Sequence, residues 1–175
     1  MNTRRHLLGL RVEGGWWEGE LSTSALSTAT AVVALALVDD VAHAEYLKRG
    51  ALWLVENQNA DGGWGDTTLS KSNLSTTLLV WSALNLMRQR GVIDPSAADA
   101  RCEAWLMKQV GSLEPERIAA AVVARYGKDK TFSVPILMLC AIGGRLGEDG
   151  WRRVLPLPAL SHSPASSLAP ASCSA

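Results

Sequence analysis

The side chains best suited to chemistry are thinly spread along this sequence. Asp39 and Asp40 stand side by side in Val38-Asp39-Asp40-Val41, but they lack the third carboxylate that would tune a proton donor by hydrogen bonding and like-charge coupling. A solvated helix boundary is the expectation there. Glu18 and Asp66 each follow a Gly-Gly-Trp segment, where a capping role at a turn is expected. His6, His43 and His162 are isolated from one another and from any cysteine, so neither a metal site nor a Cys-His dyad is assigned. Cys102, Cys140 and Cys173 show no Cys-x-x-Cys spacing, which argues for free thiols in a reducing, cytoplasmic compartment. Gly62-Gly63 lacks the Gly-Lys-Ser/Thr continuation of a phosphate loop. Balanced charge and a pI near 6.8 leave no electrostatic footprint for nucleic acid. No catalytic residue, metal or cofactor is therefore expected within the chain.

What the sequence does repeat is a joint. Gly14-Gly15-Trp16 lies over Gly62-Gly63-Trp64 when the chain is slid by about 48 residues, and Leu21-Ser22, Ser24 and Leu26-Ser27-Thr28 lie over Leu69-Ser70, Ser72 and Leu74-Ser75-Thr76. This register predicts Trp16 and Trp64 in matching surroundings, within two copies of one helical pair. Seven Trp against one Phe is unusual, and indole suits places where a large apolar face must also donate one hydrogen bond.

The elements around the joint read as helices. Residues 24–38, Ala- and Leu-rich behind Ser22, Ser24 or Ser27 as caps, predict an inner helix buried on most sides. Residues 41–57 place Ala44, Leu47, Ala51, Leu54 and Val55 on one face and predict an amphipathic outer helix. The alternation repeats with an inner helix over 74–87, capped by Ser72 or Ser75, and an outer one over 96–109. Glu114-Pro115-Glu116 starts a further helix, read as inner and stopped by Gly127. Residues 132–142 form the last, with Pro135 tolerable only in its first turn. The fold class is all-α. Residues 1–12 read as a lead-in, 13–155 as one helical repeat domain, and 156–175 as a disordered Pro/Ser/Ala tail with no Asp, Glu, Lys or Arg, either a natural flexible tail or, the favoured reading, a frameshift or truncation product. No apolar run approaches the roughly 20 residues of a spanning helix, so any membrane contact is expected to be peripheral, at the inner membrane.

Arg49, Gly50, Trp53, Leu54, Gln58, Gly62 and Trp64 fill every defined position of a joint that resembles the QW motif of squalene-hopene and oxidosqualene cyclases. Gly14 and Trp16 resemble the segment opening that family's helical barrel, and residues 131–136, 144–146 and 151–158 resemble later parts of its N-terminal half. The resemblance implies an α/α toroid, here a partial barrel of inner and outer helices. It also implies braces in which the Gln amide meets polar groups at helix ends while the indole covers that amide. Trp105 to Gln109 resembles a degenerate second motif.

By that resemblance the parent enzyme takes an apolar polyprenyl substrate to a triterpene. An Asp-x-Asp-Asp motif gives up the first proton, and aromatic faces then stabilise successive cations. This chain contains no Asp-x-Asp-Asp, nor the Asp-Asp-x-x-Asp that other terpene synthases use for magnesium. The expectation is an N-terminal part of such a cyclase, inactive alone, with a completing chain as a partner. The alternative is a non-catalytic helical-toroid module that binds an apolar ligand or a protein.

Overall fold

Helix boundaries follow from local chemistry in a computed structural model that describes residues 3–19, 22–127 and 129–155. The elements are α1 (Thr3–Gly9), α2 (Ala25–Asp39), α3 (Ala44–Glu56), α4 (Leu74–Gln89), α5 (Ser96–Val110), α6 (Pro115–Tyr126), α7 (Lys130–Ile142) and a 3-10 turn at Gly150–Arg153. Ser24 caps α2 by accepting from the Ser27 amide at 3.2 Å. At α4 the cap is Asn73, accepting from Thr76 at 2.9 Å, rather than Ser72 or Ser75. Asx side chains at least equal Ser in this role, and both serines are occupied elsewhere. Asp129 caps α7 through the Thr131 amide, so that helix begins two residues before the expected start. In consequence Pro135 sits beyond the first turn, a correction to the sequence expectation. The segment 156–175 lies outside the described residues.

The helices stack as two rows. α2, α4 and α7 pack successively in the inner row, while α3, α5 and α6 lie against them from outside. This is the all-α layout of an α/α toroid. α6 was expected to be inner and is outer. Its buried side chains are Ile118 and Val122, one turn apart, which fits a helix that covers others rather than one that is itself covered.

At the centre is α4, buried continuously from Ser75 to Met87. Burying that much polar backbone and hydroxyl is tolerable because each group finds a partner. Thr76 donates to Asp66 at 2.5 Å, Ser82 to the Leu78 carbonyl at 2.7 Å, and the Asn85 amide to the Gly143 carbonyl at 2.6 Å. Two glycines let neighbouring helices close in. A Cβ at Gly50 would stand 2.6 Å from Val32 Cγ2, and one at Gly143 would stand 2.5 Å from the Ser82 carbonyl oxygen. Among the described residues no helix is long and apolar enough to cross a membrane.

Leu84 is fully buried on α4, whereas Leu69 is 97% exposed in the loop before it. We expect Leu84→Ala to cost ~2–5 kcal/mol through lost transfer energy and a residual cavity, and Leu69→Ala to stay within about 0.5 kcal/mol. Urea unfolding midpoints of the two variants check this contrast.

Candidate functional site

The last turn of an outer helix leaves carbonyls that nothing within the helix can satisfy. At the end of α3 the following joint supplies the missing donors. Asn57 donates its backbone N–H and its Nδ2 to the Trp53 carbonyl, and the Gln58 N–H reaches Val55. The Leu54 carbonyl takes the Trp64 indole, Nε1 to O 2.8 Å, from ten residues further along. Trp64 is 1% exposed. Gly62 makes the reversal possible with φ +93°, and a Cβ there would stand 2.5 Å from the Arg101 carbonyl.

Gln58 turns the joint into a link between helices. Its Nε2 donates to the Gly62 carbonyl at 2.7 Å and across to the Ala98 carbonyl of α5 at 3.0 Å, while its Oε1 accepts from Arg101 Nε at 2.7 Å. Asp61 extends the link, accepting from Ser72 at 2.6 Å, from the Gly63 amide at 3.1 Å and from the Trp105 indole at 3.1 Å. Burial pushes the Asp61 carboxyl up, but those three hydrogen bonds outweigh it and leave the group below the usual carboxylate range. Trp64 N–H donates to Thr77 and its carbonyl accepts from Asn73 N–H, which joins α4 to the same clasp. Asp66 braces the start of α4 by accepting from Thr76 and Asn73.

The remaining motif residues fall apart from this clasp. Gly50 meets α2, Trp53 is half-buried, and Arg49 lines a groove between α2 and α3. Trp16 contradicts the expected equivalence: it is 56% exposed and its indole donates to Glu18 at 3.2 Å rather than to a helix-end carbonyl. Its neighbour Trp17 donates to the Leu7 carbonyl ten residues back at 2.7 Å, the relation that Trp64 has to Leu54. Arg11 Nε donates to the Gly15 carbonyl at 2.6 Å, as Gln58 does to Gly62, and Gly15 has φ +90°. The Gly15 amide bonds Val12, and the Val12 amide bonds Trp16, as Gly62 bonds Asn59 and Asn59 bonds Gly63. Every one of these residues lies 47 positions before its counterpart, so the structural register differs by one from the sequence match. Gly14 then stands at the position of Asp61.

A second polar cluster was not anticipated. Arg145, in the turn after α7, sets its guanidinium 4.0 Å from the Trp81 ring centroid and donates to the Trp81 carbonyl and to Asp99 at 2.9 Å. Glu103 accepts from the Trp81 indole at 3.3 Å and from Arg145 at 3.5 Å. Burial pushes Asp99 up, with Arg145 only partly offsetting it, and burial also pushes Arg145 down. Such a pair contributes position more than net stability. Cys102 and Cys140 are free and buried, and desolvation raises both thiols, Cys140 to about 11, which disqualifies either as a nucleophile. Among the described residues no group of three or more His, Cys, Asp or Glu is placed to hold a metal ion. Both clusters are braces.

Two outcomes follow from this geometry. Trp64→Phe keeps the ring but strands the Leu54 carbonyl, at an expected cost of ~1–3 kcal/mol, and Gln58→Ala should cost a similar amount. Trp17→Phe, at a 48% exposed indole, should stay under about 1 kcal/mol; chemical denaturation compares the three. Asp66 titrates below its ordinary value because Thr76 and then Asn73 hold its charged form. Its stabilisation is present above the unfolded carboxylate pKa and fades as pH falls through the lower folded value. Stability measured from pH 7 down to pH 2 should therefore fall less steeply in Asp66→Asn than in the parent.

The squalene-hopene cyclase N-terminal domain family matches residues 1–140. Dammaradiene synthase of Dryopteris crassirhizoma is 41% identical over 66 residues, covering 32% of this chain and 10% of that protein. The chain thus spans about a tenth of the length of this curated relative. No solved structure matches. With the match running from α1 almost to the end of α7 across the whole two-row stack, the chain belongs to the squalene-hopene cyclase N-terminal domain family.

Proposed function

We propose that this chain forms part of the wall of a triterpene cyclase's polyene cavity and does not start the cyclisation by itself. The observation that carries this is an uncovered apolar stripe on the inner row. On α2, Leu26 and Leu37 share one line about a quarter-turn from the centre of the face that buries Ala25, Ala29, Val32, Val33 and Ala36, and they are exposed, as is Val41 just beyond the helix. On α7, Phe132, Pro135 and Met138 are exposed at three-residue spacing while the residues between them are buried. The two stripes flank α4. An apolar polyprenyl chain is the substrate class of the family, and such surfaces fit it by area rather than by hydrogen bonds.

Cyclisation also needs a strong general acid at the terminal alkene or epoxide, and the 175 residues hold no Asp-x-Asp-Asp. Among the described residues the buried acid is Asp99, whose Oδ2 pairs with Arg145 while Oδ1 is buried without a partner, and it stands alone rather than in an acid cluster. The proton donor then comes from polypeptide outside this sequence. Incubation of the purified chain with squalene and with oxidosqualene should give no cyclic product by gas chromatography and mass spectrometry. Quenching of tryptophan fluorescence by squalene should weaken at least threefold in Leu37→Lys and Phe132→Lys. Cyclic product from the chain alone would overturn the proposal, as would quenching indifferent to both substitutions. Binding that persists without turnover when a polypeptide bearing the acid motif is added would favour the non-catalytic module.

A further inference from the structure

The Gln58 joint is gripped from outside by three positions on α5: the Ala98 carbonyl, the Arg101 guanidinium and the Trp105 indole. The same three positions recur on α3. Counted from the first residues of the two helices, Ala44 and Ser96, Tyr46 matches Ala98, Arg49 matches Arg101 and Trp53 matches Trp105. On α3, however, these residues line an open groove of about 480 Å³ beside Val32 and Leu35 of α2. No residue of the Arg11 joint lines it. That joint meanwhile leaves Leu7, Leu8, Leu10, Trp16 and Trp17 roughly half exposed.

One face has the gripping residues without a joint, and one joint has its internal hydrogen bonds without a grip. We propose that the segment from Leu7 to Trp17 docks into the α2/α3 groove as the Gln58 joint docks against α5. The charges are complementary in a particular way. Arg11 stands where Gln58 stands and would repel Arg49 if aimed outward, but it is turned inward, bonded to the Gly15 carbonyl with its guanidinium carbon 5.6 Å from the Trp17 ring centroid. The acceptor available to the groove is then the exposed Glu13, next to Gly14 at the Asp61 position. Its carboxylate takes the Arg49 guanidinium and the Trp53 indole N–H, as Gln58 and Asp61 together take Arg101 and Trp105. The sequence from Trp17 to Ala25 is nearly as long as that from Trp64 to Leu74, so the docked position is within reach. Docking would cover the apolar groove and the exposed leucines in one step.

The full chain carrying Glu13→Cys and Arg49→Cys tests this under mild oxidation, followed by non-reducing digestion and mass spectrometry. Docking predicts an intramolecular link in most molecules, with the control pair Glu13→Cys and Lys108→Cys unlinked. Linking no greater than the control overturns the proposal, and so does a linked dimer, which would give the groove to a second copy. Because cysteine pairs can perturb folding, charge reversal provides an independent readout. Arg49→Glu should raise acrylamide quenching of the tryptophans about 1.5-fold, and adding Glu13→Arg should restore it. Quenching unchanged by Arg49→Glu sinks the proposal.

Discussion

A stack of helical pairs has to solve one problem at every outer-helix end: several carbonyls lose their intrahelical partners where apolar packing keeps water away. The Gln58 to Trp64 joint answers it with few residues. Its indole closes the Leu54 carbonyl from inside, its amide reaches the next outer helix, and its backbone takes hold of the next inner helix through Thr77 and Asn73. Because the same residues satisfy one helix and position two others, the spacing of the rows is set by hydrogen-bond geometry and then filled by apolar side chains. Gly50 and Gly143 show the result, with backbones close enough to leave no room for a methyl group.

The long periodic helices were legible because their apolar spacing and punctuation agree. Ser24, Pro115 and Gly127 stand at element boundaries for reasons of local chemistry. The layer of α6 was not legible. Its Ala-rich middle reads as buried, although Glu116, Arg117 and Arg125 lie outside the Ile118–Val122 line, and packing against α7 and α5 makes it a covering helix. Pro135 misled for a related reason: the capping power of Asp129 extends α7 upstream of the point where its apolar run begins.

The one-residue difference between the sequence repeat and the structural repeat is more instructive. Adjacent glycines and adjacent tryptophans at 14–17 allow two alignments, and residue identity favours the one that pairs Trp16 with Trp64. Hydrogen bonding chooses the other, because a joint is defined by a donor reaching four residues forward and an indole reaching ten residues back. Arginine in place of glutamine hides that match from a pattern search, although both offer an N–H at a similar distance from the backbone. The Arg145 cluster was hidden in a different way. Its partners lie in α4 and α5, far away in sequence, and only the fold assembles them.

These braces also decide what the stack leaves uncovered. Polar bonding gathers at helix ends and around Arg145, while the exposed Leu26 and Leu37 of α2 and Phe132, Pro135 and Met138 of α7 leave hydrocarbon uncovered on the inner row. Both described cysteines are buried within the stack, and desolvation raises both thiols. The Arg145 cluster puts one of these braces at the middle of the stack, on the Trp81 carbonyl of the buried α4, so cohesion is not confined to the helix ends.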